Sequence, residues 1–238
     1  MRLFNGLTTM SFVALAALMA VPASAASISG SFYLSGTAVG STSGIDFYYS
    51  TPTPPDQQGA VVLPVSGSFS NLAAGSVQTI HDITGPGVIP GTSFDLVDWV
   101  VLSNGIDLDL TSIPIPSFPV CPSTGTVANG YECIVNATSP VVLTQGSNGV
   151  SARLNVDGYA HTAGATDYVP FVGLFNAPST NFSTVAAFED YYDTNGGIPA
   201  IGYSANFTVS PEPETIALIA GGLLVGLGMR RKLASKKG

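Results

Sequence analysis

Ile201-Gly202-Tyr203-Ser204-Ala205-Asn206-Phe207-Thr208-Val209 is the stretch that sets the fold class of this chain. Ile201, Tyr203, Ala205, Phe207 and Val209 project to one side of an extended backbone and Gly202, Ser204, Asn206 and Thr208 to the other. A period of two marks a strand with one face in a core and one in water. The same pattern recurs upstream. Val150, Ala152, Leu154 and Val156 alternate with Ser151, Arg153, Asn155 and Asp157, and Ile106, Leu108 and Leu110 alternate with Asp107 and Asp109. Ile28, Phe32 and Leu34 alternate with Ser and Tyr, and Val77, Thr79, His81 and Ile83 do so less cleanly. The run 94–102 differs: only Asp95 and Asp98 interrupt it, it holds Trp99, the one tryptophan, and it reads as a central strand buried on both faces.

Turn chemistry separates these runs, in Thr51-Pro52-Thr53-Pro54-Pro55, Gly85-Pro86-Gly87 and Asn195-Gly196-Gly197. Pro114, Pro116 and Pro119 make 113–120 an extended, edge-like connection, because proline cannot donate to a sheet ladder. One helix is expected, capped by Ser183 and running through Tyr192, with Val185, Phe188 and Tyr192 at helical spacing. Many short strands without alternating helices cannot build a parallel sheet. The predicted fold is therefore all-β, an antiparallel β-sandwich or jelly roll.

Charge is distributed unevenly. Five of the seven Lys and Arg residues sit after residue 229, and between 26 and 210 Arg153 is the only cation against thirteen acids, the fifteen total less Glu212 and Glu214. Nucleic-acid binding, which needs clustered cations to displace counterions, is excluded on that ground. Cys121 and Cys133, the chain's two cysteines, form an even count in a segment expected to be exported, so a disulfide between them is predicted.

Both ends are read as targeting segments. Met1-Arg2, the apolar run 10–21 and Ala23-Ser24-Ala25 have the three-part form of a secretory signal, with Ala23 and Ala25 directing cleavage after Ala25. At the other end come Pro211-Glu212-Pro213, an uncharged run 215–229, and the basic cluster Arg230, Arg231 and Lys232. As a helix that run is about 22 Å long, shorter than a hydrocarbon core of roughly 30 Å, but basic side chains at its end can snorkel to the far interface and hold it there. The expected organisation is a signal peptide at 1–25, an exported β-domain at 26–210, and a sorting segment with a transmembrane helix at 211–238.

The order of triplet, apolar span and basic end resembles the PEP-CTERM sorting signal of Gram-negative bacteria. That resemblance implies that an exosortase-type membrane transpeptidase reads the segment, cuts near the triplet, and releases or transfers the protein to the surface. Ser210 and Glu214 stand where the usual pattern has Val and then Ser or Thr, and Thr215 comes one place late. The resemblance covers 211–232 and implies no activity for the domain ahead of it.

Candidate chemistry in the domain is sparse. Asp107 and Asp109, two apart on a strand, share a face as glycosidase carboxylates or calcium ligands would, although a solvated strand face is the plainer reading. There is no Gly-x-Ser-x-Gly elbow; His81 sits on an alternating face and His161 reads as loop. Glu189-Asp190 and Asp193-Thr194-Asn195-Gly196 offer oxygen ligands without EF-hand spacing. The pairs Tyr48-Tyr49 and Tyr191-Tyr192 are candidate sugar-stacking aromatics.

No catalytic, cofactor or metal set is assigned. The sequence points to a non-catalytic, structural or adhesive protein of the envelope or extracellular matrix. Its expected route is a membrane-anchored precursor handled by the Sec machinery, signal peptidase and exosortase. A secreted carbohydrate-binding protein, or a hydrolase acting on polysaccharide through Asp or Glu, is the alternative.

Overall fold

The computed structural model describes residues 27–41, 44–48, 58–165 and 167–210. The signal segment with Ala23 and Ala25, the Pro211-Glu212-Pro213 triplet, the run 215–229 and the Arg230-Arg231-Lys232 cluster lie outside the described residues, as do Tyr49 and the turn 51–55. Among the described residues no helix is long and apolar enough to cross a membrane.

Eight antiparallel strands close on themselves. β1 (Gly30–Ser41) pairs with β12 (Ile201–Val209), β12 with β11 (Val169–Ser179), and β11 with β10 (Gly149–Thr162). The ladder continues from β10 to β7 (Ile106–Ser112), β6 (Ser93–Val101), β4 (Val77–Ile80) and β3 (Gln58–Val62), and β3 returns to β1. The expected sandwich or jelly roll is thereby corrected to a barrel. Alternation is the same in both architectures, and closure comes from β11 pairing with β10 as well as with β12.

Inward-facing residues fill the barrel with aromatic rings. Phe32 and Phe207 stack at 4.8 Å, and Trp99, Phe171 and Phe175 each lie 5.7–6.0 Å from Phe207. Rings of this size fit because small residues face them. Val156, Gly173, Phe207 and Phe32 form one continuous register row across four strands, and the Phe207 ring occupies the space over Gly173. Tyr203 lies in the same way across its partner Gly36, with its hydroxyl reaching Gly59. A barrel of eight strands has just enough interior for such side chains or for one small ligand, and here the lower part is packed solid.

Two expectations about strands are corrected. The 94–102 strand is not buried on both faces: Val97 is 58% exposed, and a bulge at Asp98, whose φ is 52°, lets the adjacent Trp99 and Val100 both be fully buried. In β4 it is Gln78 and Ile80 that are buried, while Val77 is exposed. Gln78 is kept inside by its polar partners, since its amide donates to Ser76 Oγ and its carbonyl accepts from Ser103 N–H.

The two poles differ. At one, a 3-10 turn (Gly67–Phe69) pushes Phe69 against Phe32, 4.8 Å between ring centres, and Ser66 and Ser68 N–H groups bond the carbonyls of Ser31 and Ser29. Gly30 pairs with Val209 at this plugged pole, so the chain enters and leaves the barrel there. Toward the other pole the wall divides. The free edge of β1 passes from β3 to β2 (Gly44–Tyr48), which carries β5 (Ile83–Thr84), and that of β10 passes from β7 to β9 (Val141–Gly146), which carries β8 (Glu132–Ile134).

The β8–β9 flap has its own small core. Cys121 and Cys133 form the predicted disulfide, packed with Leu143, Val150, Phe182 and Phe188. The proline-rich connection 113–120 forms no interior strand, and meets β8 through a bridge between Val120 and Ile134. The predicted helix is present as α1 (Val185–Asn195), but its cap is Thr184, whose side chain accepts from Ala187 N–H, and not Ser183. Gln145, buried beneath it, accepts from Val185 N–H and donates to Ser183 C=O. The helix start is thus satisfied from the sheet.

Candidate functional site

Two places in the barrel carry more than packing. The first is a cavity of about 780 Å³ where the wall divides. Phe47, Phe175 and Tyr203 form its floor on top of the aromatic plug; Ala38, Ala152, Ala177 and Ile201 line its sides, and Phe188 and Tyr192 of α1 reach it from above. The loop at Asn136, Thr138 and Ser139 brings polar atoms to it. Its volume arises because alanines stand at inward positions where the lower barrel carries phenylalanines.

Among the described lining residues there is no Asp, Glu or His, and the one charged group is Arg153, which pairs with Glu132 at 3.2 Å. The buried Tyr203 hydroxyl has no hydrogen-bond partner, and burial pushes its pKa far up, so it stays neutral. A pocket of this size and character suits a small, mainly apolar molecule.

The second place is on the outside of the wall, where β6, β7 and β10 run side by side. Asp107 pairs directly with His161, and Asp109 with Tyr159. His161 is therefore in strand β10 and 7% exposed, which corrects its reading as loop. Asp107 and Asp109 are 7% and 6% exposed, so the solvated strand face is corrected too: the Asp98 bulge bonds to Asp109, and His161, with Tyr168 against its ring, lies beside both.

His161 Nε2 lies 3.2 Å from Asp109 Oδ1 and 3.7 Å from Asp98 Oδ1, and its Nδ1 is 3.3 Å from the Thr162 carbonyl. Asp109 Oδ1 also accepts from Asp98 N–H at 2.8 Å, which locks the bulge to the strand beside it. Burial opposes charge on the imidazole, but the Thr162 carbonyl and the Asp109 carboxylate outweigh it, and the His161 pKa is raised. The Asp107 pKa is also raised, by burial first and then by the neighbouring Asp98 charge.

The structure thus joins Asp107, Asp109 and His161, three residues the sequence offered separately, and adds Asp98 to them. It does not bring Asp107 or Asp109 to the cavity. Glu189, offered as a turn ligand, is in α1 and buried, and its pKa is raised by burial and by Asp193. Tyr48 is buried, Tyr191 is exposed, and Tyr192 lines the cavity.

Tyr159 and Tyr168 are the aromatics on the open wall, 42% and 54% exposed and edge to face at 6.4 Å, with Tyr168 also against the His161 ring. The sequence signal for Tyr159 was its outward parity in the β10 alternation; Asp98 stood out only as an interruption of the 94–102 run, and Tyr168 had no signal. Comparison with protein-family models, with curated proteins and with solved structures found no match.

Proposed function

We propose that this chain is an exported, non-catalytic binding protein of the bacterial envelope or matrix. In this reading the 1–25 leader takes it through the Sec machinery and signal peptidase, and an exosortase-type transpeptidase reads 211–238 as a PEP-CTERM signal. The barrel then holds a small, uncharged, mainly apolar molecule. The observation that carries the binding role is the 780 Å³ cavity, set at the pole opposite the one from which the chain leaves toward residue 211. From Ile201 to Val209 the β12 backbone covers roughly 26 Å at the usual strand rise, so a chain tethered through its C-terminal segment would turn the cavity away from the membrane.

Two experiments test the two halves. Expression with and without 211–238 in an exosortase-positive host should change both mass and location; identical processing and distribution would defeat the sorting half. For the cavity, the detergent-purified full chain is titrated with the neutral apolar dye Nile red. Ala38→Trp and Ala152→Trp, which put an indole into the cavity, should each weaken the specific site at least about tenfold. Equal affinity in a folded variant would defeat the binding half.

Polysaccharide contact is the second reading, favoured by the Tyr159 and Tyr168 pair beside outward-facing acids. Retention of the full chain on host polysaccharide, lost in Tyr159→Ala with Tyr168→Ala, would support it; retention unaffected by that change would remove it.

A further inference from the structure

We propose that Asp98, Asp109 and His161 form a site for one divalent transition-metal ion of the Zn²⁺ or Mn²⁺ class, with Asp107 as the supporting carboxylate. The spacing is the first argument. One imidazole nitrogen and two carboxylate oxygens lie within 4.8 Å of one another, two of the three separations being 3.2 Å and 3.7 Å. A metal with bonds of about 2.0–2.2 Å holds neighbouring donors roughly 2.9–3.6 Å apart, so little closure is required.

Orientation of the ring is the second argument. Thr162 C=O faces Nδ1, as a carbonyl does behind a metal-bound histidine, so Nε2 points at the two carboxylates and the proton it shares with Asp109 is the one an arriving cation would displace. The group that sets the tautomer lies outside the cluster itself.

Charge is the third. Three carboxylates share one imidazole, and Asp107, 7% exposed, sits directly opposite His161 in the ladder. Gathering three carboxylates around a single imidazole leaves the cluster short of positive charge, and a divalent cation would supply it. The side chain of Asp98 is 53% exposed, which gives an ion a way in past the bulge. Strands β7 and β10 hold the other two ligands on a rigid wall.

The donor set selects the ion. An imidazole nitrogen with two or three carboxylate oxygens matches borderline cations better than Ca²⁺, which seeks six to eight oxygens. The site is independent of the cavity reading, since none of its residues lines the cavity.

The test is calorimetric titration of the chelator-treated full chain, without a histidine tag, with Zn²⁺, Mn²⁺ and Ca²⁺. One equivalent of Zn²⁺ or Mn²⁺ should bind ahead of Ca²⁺. His161→Gln and Asp98→Asn should each weaken binding by about 100-fold or more, beyond the roughly 10–100-fold typical of supporting residues. Asp98→Asn keeps a residue that tolerates positive φ, and Trp99 emission checks that each variant is folded. Asp95→Asn, on the same strand but outside the cluster, should leave affinity unchanged. Absence of saturable binding, unchanged affinity in folded His161→Gln, or preference for Ca²⁺ would each overturn the assignment.

Discussion

Gly173→Ala should be among the more damaging single-methyl additions in this protein, and Val156→Ala should relieve it. A methyl at residue 173 would sit 2.6 Å from Val156 Cγ2 and 3.0 Å from two atoms of the Phe207 ring. Carbon atoms rest at about 3.5–4.0 Å, so the methyl overlaps the valine by about 1 Å and the ring by about 0.5 Å. Neither neighbour can retreat, because Val156 and Phe207 are both 0% exposed and Phe207 is held by Phe32, Trp99, Phe171 and Phe175.

Overpacking of this kind costs about 1–3 kcal/mol, and for a domain of this size each kcal/mol lowers Tm by about 2–4 °C. Val156→Ala alone leaves a hole and costs roughly 1–3 kcal/mol. In the double variant the new methyl occupies that hole, so the pair should be coupled by about 1–3 kcal/mol in the compensating sense. Urea unfolding of the full chain in detergent, followed by emission from Trp99, measures all four corners of the cycle. Additive costs, or a neutral Gly173→Ala, would refute the account of how glycine and aromatic positions share the barrel interior.

Three further outcomes are expected. Glu189 binds its proton more tightly folded than unfolded, so its contribution is favourable at low pH and is lost as pH rises through its raised folded value. Glu189→Gln should therefore raise Tm at neutral pH and flatten the fall that begins above about pH 4, which thermal scans at several pH values will register. Thr184→Ala should cost about 1 kcal/mol through loss of the α1 cap, whereas Ser183→Ala should cost a few tenths at most, by urea midpoint. Replacing Cys121 and Cys133 by Ser opens a ring with a sequence separation of 12 and should cost about 3 kcal/mol. It should also weaken Nile red binding, since the β8–β9 flap borders the cavity.

Alternation placed the inward faces of β1, β7, β10 and β12 correctly from residue type alone, because burial of apolar side chains on one face of a strand is a local property. It misplaced the 94–102 strand and β4 for physical reasons. At Asp98 a single residue in the left-handed region shifts the register, and at Gln78 paired hydrogen bonds make a buried amide tolerable. The acidic wall was half legible. Asp107 and Asp109 stood out at a spacing of two, but nothing local said that a bulge at Asp98 and a histidine some fifty residues on would pack against them.

Composition and periodicity by themselves determined an all-β chain with a nearly cation-free body, one short helix and a disulfide, since each follows from residues close together in the chain. Tertiary structure alone decided that the strands close into a barrel, that alanines and aromatics divide its interior into an open and a plugged half, and that Asp98, Asp109 and His161 meet. Those outcomes depend on pairings between residues tens to well over a hundred positions apart, such as β1 with β12, and no local pattern encodes a partner at that distance.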